Sequence, residues 1–371
     1  MKRCSKCVNP STRPNIFFNE EGLCPVCVFE DQKLESEINW DERNLEMQGI
    51  IDWAKTRKQT QYDCIVTVSG GKDSTRQAMF ARDNLKLNPL LVSVMYTPEH
   101  GHYRGPKNLS NLTSLGFDVV SMSLNPKIWK DLIRNSFYKS QNIFNTSEMA
   151  LYAIPVHIGI AYKIPLIFLG ENPALTIGEQ HGKLDGDASQ MRNANTLQGG
   201  SPRHLMNKEM TDQDVHFYNY PSERDVIKGQ LKLVYLGYYD KDWSGKKNGE
   251  FAVKNGLVTR NDPPEEIGDL WGISALDEDF RIVNQMIKFM KYGFGHVTDQ
   301  VIDAIHLGDI SKKEGMELIK KYDGKCHERY IKKFCKYIDI PEIEFWTLVE
   351  KTRNKKLFKK DSEGKWQLNY E

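Results

Sequence analysis

The sequence predicts an α/β fold built on a doubly wound parallel sheet, preceded by a small cysteine-rich domain and followed by a mainly helical region. Three observations predict it: apolar strand-like runs alternate with helical patterns in the middle of the chain, paired cysteine motifs precede them, and helical periodicity dominates from about residue 263. Buried strands alternating with helices are typical of a parallel sheet covered on both faces. We divide the chain into residues 1–38, 39–262 and 263–371, with a lid-like insertion at about 173–220.

The expected strands and helices follow one another in a regular order. Strands are predicted at 62–68, 90–96, 117–122, 165–169 and 231–238. Helices are predicted at 105–115, at 126–138, and from Ser147 onward, where Pro155 is expected to kink or split the helix. Ligands of such sheets bind at the carboxyl ends of the strands, where the strand order reverses. The segments Ser69–Ser74 and Gly170–Asn172 both follow strands, so we expect them in one shared site.

Composition and charge argue against several classes of function. The 371 residues include 51 basic and 50 acidic side chains, so the chain lacks the basic excess of a nucleic-acid-binding protein. No apolar run approaches the length of a membrane span, and the start Met1-Lys2-Arg3-Cys4 lacks the apolar stretch of a signal peptide. Seven cysteines without an export signal favour reduced thiols and metal binding over disulfides. We expect a cytoplasmic protein without membrane association.

Four of the cysteines form two CxxC motifs, Cys4-Ser5-Lys6-Cys7 and Cys24-Pro25-Val26-Cys27, separated by sixteen residues. Four thiolates at this spacing are typical of a closed tetrahedral zinc site, and a redox dithiol is the alternative. The segment has too few apolar residues for a core, so it needs the metal to fold. A strand at Asn15–Asn19 and a turn at Glu20–Gly22 complete the pattern of a zinc ribbon. Four cysteine ligands leave no open position, which favours a structural Zn²⁺.

A glycine-rich loop, Ser69-Gly70-Gly71-Lys72-Asp73-Ser74, lies between the first strand and a helix. Backbone N–H groups and a helix N-terminus in this context bind phosphate, and glycines let the backbone approach the ligand closely. The spacing differs from that of the Walker loop and resembles the SGGxDS signature of the ATP-pyrophosphatase (PP-loop) family. This resemblance implies an adenine nucleotide alpha hydrolase-like fold and transfer of AMP from ATP. An ordinary glycine-rich turn is the alternative.

The order of features along the chain is similar to that of the N-acetyl sugar amidotransferase family of bacterial surface-polysaccharide biosynthesis. The shared features are the paired CxxC ribbon, the SGGKDS loop, a strand ending in Gly170-Glu171-Asn172, the segment Lys288–Gly295 and the segment Lys321–Gly324. The resemblance covers almost the whole chain, except that His296 stands where the family usually has arginine. It implies ATP-dependent conversion of a sugar acetamido group to an acetamidino group. The implied substrates are nucleotide-linked sugars such as diacetamido uronic acids, or nonulosonic acids of the pseudaminic or legionaminic type, in lipopolysaccharide or flagellar glycan biosynthesis.

Roles for individual residues follow from this chemistry. We expect Lys72 to balance charge on the departing pyrophosphate, and Asp73 to orient the triphosphate with Mg²⁺, with capping of the next helix as its alternative. Glu171 and Asn172 are candidates for positioning the carbonyl or the incoming ammonia. Two further nucleotide-binding candidates are Gly170 and Met95, and a core position is the alternative for Met95. The polar stretch 173–220 is predicted to be a substrate lid or a mobile surface insertion.

Two other functions stay open. The first is a PP-loop enzyme that thiolates tRNA, which can also carry a zinc ribbon. Such enzymes often deliver sulfur through cysteines of the nucleotide-binding domain. Here only Cys64 lies in that domain, and it is in a predicted buried strand, where a thiol is usually inert. The nearly balanced charge also argues against a large RNA footprint. The third class is a non-catalytic zinc-ribbon adaptor with a degenerate nucleotide fold, which nucleotide turnover separates from both enzymes.

The proposed reaction needs a source of ammonia, and this need predicts a partner protein. Residue 2 is Lys2, so no N-terminal cysteine nucleophile is available, and no cysteine lies in a glycine-flanked strand-to-helix elbow. We therefore expect ammonia from a separate glutaminase. The family resemblance implies partners like the two subunits of imidazole-glycerol-phosphate synthase, one hydrolysing glutamine and one channelling ammonia. The basic run Lys351–Lys360 is either a docking face for such a partner or a solvated helix face.

Overall fold

A five-stranded parallel sheet forms the centre of the protein. The computed structural model describes residues 1–179, 182–194 and 197–369. The strands are β1 (Cys64–Thr67), β2 (Pro89–Met95), β3 (Asp118–Ser123), β4 (Leu166–Leu169) and β5 (Lys232–Tyr235). They are parallel, in the order β3-β2-β1-β4-β5. All five predicted strands and the α/β class are confirmed.

Helices cover both faces of this sheet. The first nine are α1 (Pro25–Leu34), α2 (Trp40–Lys55), α3 (Lys72–Met79), α4 (Arg104–Ser114), α5 (Pro126–Ser140), α6 (Asn145–Tyr162), α7 (Pro173–Thr176), α8 (Glu223–Lys228) and α9 (Gly245–Lys254), with a π-helical turn at Phe80–Asn84 after α3. Alternate residues of β1 enter different cores: Ile65 packs with α5 and α6, whereas Cys64 and Val66 pack with α2, α3 and α4. The doubly wound arrangement follows from this alternation.

The strand order places the reversal between β1 and β4. From β1 the chain adds β2 and β3 on one side, and it then crosses to β4 and β5 on the other side. A crevice therefore opens beyond the carboxyl ends of β1 and β4, which is where such sheets bind ligands. The loop Ser69–Ser74 follows β1 and Gly170–Asn172 follows β4, so the fold brings both predicted segments to this crevice.

Two local predictions in these parts were wrong. Helix α6 begins at Asn145, before Ser147, and it continues through Pro155 without a break; tertiary packing overrides the helix-breaking tendency of this proline. Residues Asn15–Asn19 do not form a strand, because no neighbouring strand lies beside them to supply backbone hydrogen bonds. The predicted turn at Glu20–Gly22 is present, with a φ of 78° at Gly22.

The C-terminal region is mainly helical, as predicted, and ends in a small hairpin. It contains α10 (Pro264–Ile267), α11 (Phe280–Tyr292), α12 (His296–His306), α13 (Lys312–Tyr322), α14 (Glu328–Tyr337), α15 (Glu342–Thr352), β6 (Phe358–Lys360) and β7 (Trp366–Leu368), the last two antiparallel. Only the first two residues of the basic run Lys351–Lys360 are helical, so the run does not form a helix face. No helix in the described ranges is long and apolar enough to cross a membrane.

The predicted chain segments share their cores. Phe345 of α15 stacks on Phe137 of α5, with ring centroids 5.4 Å apart, and α12 and α13 pack against the cysteine cluster. The segment 173–220 contains 3₁₀ turns at Met191–Asn193, Pro202–Leu205 and His216–Tyr218. Most of its apolar side chains, Tyr218 among them, are buried in the core with α5 and α6, whereas Leu184 is exposed. The described part of this segment is therefore packed rather than a surface insertion, while His181, one of its predicted polar residues, lies outside the described residues.

Candidate functional site

The loop after β1 has the geometry of an anion-binding turn. Gly70 has a φ of +85°, and a Cβ atom there would lie 2.9 Å from the backbone N of Leu109, so only glycine fits. Ser69 donates its backbone N–H to Oγ of Ser74 over 2.9 Å, which braces the loop. Helix α3 starts with Gly71 as N-cap and has no side-chain cap, so its first N–H groups are free to bind a ligand such as phosphate.

This loop lines a cavity of about 320 Å³, which we call the loop cavity. All six loop residues border it, and the opposite wall comes from α4, α6, Glu171 and the segment Ile273–Arg281 of the C-terminal region. The last segment was not predicted, because nothing in its local pattern distinguishes it. Asp277 lies in this wall, and its pKa is raised to about 7, mainly by burial and secondly by the nearby Glu278 carboxylate. This carboxyl group therefore titrates close to neutral pH.

Lys72 and Asp73 form an ion pair inside the loop cavity. Burial acts to lower the pKa of Lys72, but the carboxylates of Asp73, Glu171 and Asp303 outweigh it, and the pKa is raised overall. The ammonium group therefore stays charged. Asp73 lies within the first turn of α3 and is not its N-cap, so the capping alternative is wrong. Its Oδ1 instead accepts a 2.9 Å hydrogen bond from Nδ2 of Asn248 in α9, a contact that sequence analysis missed.

The three residues after β4 have different environments. Glu171 borders the loop cavity, where loss of hydration and then the Asp73 carboxylate raise its pKa. Asn172 is 3% exposed: its Oδ1 accepts from the N–H of Ala174, and its Nδ2 donates to the carbonyl oxygens of Lys183 and Asp185, each bond 2.9–3.0 Å long. The amide of Asn172 thus holds the 173–220 segment, and its catalytic role stays a prediction.

Gly170 and Met95 lie near the cavity without lining it. Gly170 accepts a 3.0 Å hydrogen bond from the N–H of Gly237, and a Cβ atom there would lie 3.2 Å from Nε2 of Gln77. Met95 ends β2 and packs against the core that contains α2, α3 and α4. Neither residue borders the loop cavity in the described chain, and their nucleotide-binding roles stay predictions.

A second cavity of about 140 Å³ adjoins the first, and we call it the acidic cavity. The two cavities share Asp73, Glu171 and Ser274. Its other wall residues come from α1, the start of the 173–220 segment, the turn before α9, the turn before α11, and one side of α12. The lining carboxylates are Glu30, Asp73, Glu171, Asp299 and Asp303.

The two C-terminal motifs of the resemblance position α12, which lines this second cavity. Asp323 accepts hydrogen bonds from the N–H groups of Gly295 and Val297 and from the Thr298 hydroxyl, over 2.7–3.1 Å, and so caps the start of the helix. His296, at the position that departs from the family pattern, lines the acidic cavity, and its Nδ1 lies 3.0 Å from the Arg281 guanidinium. Burial and then Arg281 lower the pKa of His296 to about 3, so the ring is neutral.

A buried charge cluster fixes the C-terminal wall of the loop cavity. Asp279 lies 3.1 Å from Arg104, 2.8 Å from Arg260 and 2.9 Å from Lys333. Burial acts to raise the pKa of Asp279, but Arg260 and then Lys333 outweigh it and hold the pKa at about 2. One carboxylate thus pairs with three cations and anchors the segment that precedes α11.

We expect Asp279→Asn to lower the free energy of unfolding by roughly 3–5 kcal/mol, because the three cations then lack their buried partner. In the wild type this stabilisation is present above the unfolded carboxyl pKa of about 3.9. It is lost as the pH falls through about 2, the folded value. Urea unfolding at several pH values measures both effects. Asp83→Asn, which breaks an exposed pair with Arg82, is the control and should cost less than about 1 kcal/mol. Equal losses in both variants would contradict the assignment.

The four cysteines form a cluster that fits zinc. Their sulfur atoms all lie within 4.8 Å of one another, and all four residues are buried. Cys4 Sγ lies 3.6 Å from Cys27 Sγ, and Cys7 Sγ lies 3.7 Å from Cys24 Sγ. A tetrahedral site with Zn–S bonds of about 2.3 Å needs sulfur-to-sulfur distances of about 3.8 Å. The donor set therefore matches Zn²⁺.

Groups around the cluster support thiolate ligands. Backbone N–H groups of Asn9 and Cys24 donate to Cys7 Sγ and Cys4 Sγ over 3.4 and 3.3 Å. His306, which lines the acidic cavity, places Nε2 3.2 Å from Cys27 Sγ. Such contacts orient metal ligands. The cysteine cluster therefore also supports one wall of the second cavity.

Comparison with known proteins gives a match in the C-terminal region. Residues 275–370 match the model of a family described as the C-terminal domain of WbpG-like LPS biosynthesis proteins. The uncharacterized protein MJ1599 of Methanocaldococcus jannaschii is 36% identical over 92 residues, which are 25% of this chain and 32% of that protein. The chain thus spans about a third of the length of this curated relative. The matched segment includes the Ala275–Arg281 wall of the loop cavity.

Proposed function

We propose that the protein is an ATP-dependent, AMP-forming amidotransferase that converts the N-acetyl group of a nucleotide-linked bacterial sugar to an acetamidino group. The observation that carries the proposal is the loop cavity, in which all six residues of the SGGKDS loop border one space at the carboxyl ends of β1 and β4. The match to LPS biosynthesis proteins supports the substrate class.

The chemistry has two steps. The amide oxygen of the sugar attacks the α-phosphorus of ATP, which forms an O-adenylyl imidate and releases pyrophosphate. Ammonia then attacks the same carbon, the C–O bond to AMP breaks, and an amidine remains. Adenylation is needed because the amide oxygen is otherwise a poor leaving group.

Residues of the loop cavity suit the first step. The N–H groups at the start of α3 and the charged Lys72 would bind the β- and γ-phosphates and stabilise the negative charge on the leaving pyrophosphate. Asn248 keeps the Asp73 carboxylate in place at the cavity edge. Carboxylates such as Asp73 and Glu171 are ligands that Mg²⁺ prefers, and the ion would neutralise triphosphate charge and hold it in line.

The positions of the remaining cysteines favour nitrogen over sulfur as the second nucleophile. Cys64 is fully buried in β1, and burial raises its pKa far above the usual range. Burial also raises the pKa of Cys326 and of Cys335 to about 12. None of these three thiols borders the loop cavity or the acidic cavity. A tRNA-thiolating enzyme, the alternative function, would need a reactive thiolate there.

We further propose that ammonia comes from a separate glutaminase through a channelling partner, since the thiols outside the zinc cluster are buried or remote from the site. The basic run Lys351–Lys360, which covers the end of α15 and strand β6, is a candidate docking face. The zinc site is assigned a structural role, because four cysteines leave no open coordination position.

The test is a reaction of the purified chain with MgATP, N-acetylated nucleotide sugars and either ammonium chloride or glutamine. We expect one AMP and one pyrophosphate for each sugar product, in which mass spectrometry finds one oxygen replaced by NH. Ammonium should support the reaction and glutamine should not. Formation of ADP and inorganic phosphate would contradict the assignment of Ser69–Ser74 as a loop that supports AMP-forming cleavage of ATP. Efficient turnover with glutamine would contradict the separate glutaminase.

A further inference from the structure

Arg281 places a second positive charge in the loop cavity. The described wall of this cavity, which encloses about 320 Å³, contains two basic residues, Lys72 and Arg281. Lys72 belongs to the Ser69–Ser74 loop, whereas Arg281 lies in the first turn of α11 on the opposite wall. The proposed reaction uses Lys72 for the pyrophosphate of ATP and assigns no role to Arg281.

The guanidinium group of Arg281 contacts a neutral partner. It forms no salt bridge with a residue in the described ranges, and the nearby Asp279 is paired with three other cations. The guanidinium donates a 3.0 Å hydrogen bond to Nδ1 of His296. Burial and then Arg281 hold the pKa of His296 at about 3, so this imidazole is neutral and does not balance the charge of Arg281.

Two carboxyl groups face Arg281 without forming an ion pair with it, and the positive charge of Arg281 helps to lower the pKa of each. Asp269 is already engaged, because it accepts three hydrogen bonds over 2.6–3.0 Å from Gln300 and from two backbone N–H groups. Asp277 lines the same cavity, and its pKa of about 7 leaves it partly protonated at neutral pH. These groups therefore offset the charge of Arg281 only in part, and an anion in the cavity can still bind it.

A buried hydrogen-bond network fixes the backbone of Arg281. Both carboxylate oxygens of Glu278, which is 0% exposed, accept from the N–H of Arg281 over 3.0 Å. Trp129 donates its indole N–H to Nδ1 of His100 over 3.0 Å, so the ring proton of His100 is on Nε2, 3.4 Å from Glu278. The point from which the Arg281 side chain extends is thus set before a ligand binds, which lowers the entropy cost of binding.

From these features we infer that Arg281 is a specificity-determining residue, which binds the carboxylate of an N-acetylated sugar acid in the loop cavity. The inference rests on the proposed function. A planar guanidinium donates two parallel N–H bonds to the two oxygens of one carboxylate. A neutral sugar has no group that replaces this ion pair, so Arg281 selects sugar acids over their neutral analogues.

The distribution of donors favours a carboxylate over a phosphate at this wall. The features that suit phosphate are the glycine-rich turn, the uncapped start of α3 and Lys72, and all of them lie on the other wall. Asp73 pairs with Lys72, and Glu171 also faces Lys72, so these two carboxylates belong to that side. At the start of α11 the N–H of Arg281 is already bound by Glu278, which leaves only side-chain donors for a ligand. The triphosphate and the sugar acid then bind at opposite walls, which limits the repulsion between them.

Binding of matched ligand pairs tests Arg281 without turnover. The pairs are UDP-N-acetylglucosaminuronic acid with UDP-N-acetylglucosamine, and N-acetylneuraminic acid with its methyl ester. In calorimetric titrations of the full-length chain, we expect at least one acid to bind on the order of tenfold or more tightly than its neutral partner. Arg281→Gln should weaken binding of that acid by roughly 10- to 100-fold and leave its neutral partner nearly unchanged. Arg281→Lys keeps the charge without the planar fork and should lose less affinity.

The control variant is Arg224→Gln, which removes an exposed arginine of α8 and should keep the wild-type preference for the acid. Affinity for MgATP should be the same in all variants. Wild-type protein that prefers neither acid would overturn the inference, and so would equal losses for the acid and its neutral partner in Arg281→Gln. Weaker binding of MgATP with an unchanged preference for the acid would also overturn it, since Arg281 would then belong to the ATP site.

The neutral ligand of each pair also reports whether a variant is folded. If Arg281→Gln does not fold, the same comparison with Arg281→Lys decides, because this variant must lower the ratio of the two affinities. If no N-acetylated sugar supports AMP formation from MgATP, the proposed function fails. The ratio of affinities is measured without turnover, so it still decides the role of Arg281.

Discussion

Replacing Lys72 by alanine should lower the rate of AMP formation by on the order of 100-fold or more. Lys72 is a charged side chain in the loop cavity, and three carboxylates keep its pKa above the usual value despite burial. It is therefore positively charged at neutral pH. Negative charge develops on the leaving pyrophosphate, and a fixed positive charge in a partly dehydrated site stabilises that transition state more than water does.

Two variants separate this effect from a general loss of stability. Lys72→Arg keeps the charge but changes the geometry, so it should retain more activity than Lys72→Ala. Lys254→Ala, an exposed lysine in α9, should behave like the wild type. The measurement is AMP and pyrophosphate release under saturating ammonium, with thermal melts of each variant. If Lys72→Ala keeps near-normal rates, the loop does not stabilise the leaving group.

The purified chain should contain one zinc ion, and Cys24→Ser should abolish its binding and lower the melting temperature by on the order of 10 °C. The four sulfur atoms are buried within 4.8 Å of one another. Without zinc, the cluster keeps four desolvated thiols that no metal bond compensates. The loss of stability extends beyond residues 1–38, because the cysteine cluster shares a hydrophobic core with α12 and α13.

Elemental analysis and melting curves with and without a chelator measure this effect. Cys326→Ser is the matched control, since Cys326 lies outside the cluster and is only partly buried; its zinc content and melting temperature should match the wild type. Protein that lacks zinc and melts at the same temperature with and without chelator would rule out the structural metal.

Much of the fold was readable from short stretches of sequence. Four of the five strands (β1, β2, β4 and β5) are largely buried apolar runs of four to seven residues, and such runs indicate burial on both faces of a parallel sheet. The edge strand β3 is partly exposed. The loop and the zinc ligands are also local patterns, because glycines at fixed positions and cysteines at fixed spacing meet geometric demands within a few residues. The local errors, at Asn15–Asn19 and Pro155, arose where partners outside the segment decided the outcome. A strand needs a neighbour, and a packed helix tolerates a proline.

By itself, therefore, the sequence determined the parallel α/β class, the six-residue loop, the cysteine cluster and the meeting of Ser69–Ser74 with Gly170–Asn172 at one sheet edge. Only the tertiary structure decided which other residues reach that edge. Asn248 contacts Asp73 from 175 positions away, and Asp303 and Trp243 enter the second cavity from separate parts of the chain. Their placement depends on how α9 and α12 pack against the sheet and the cysteine cluster. Such packing joins side chains that are far apart in sequence, and no local periodicity records it.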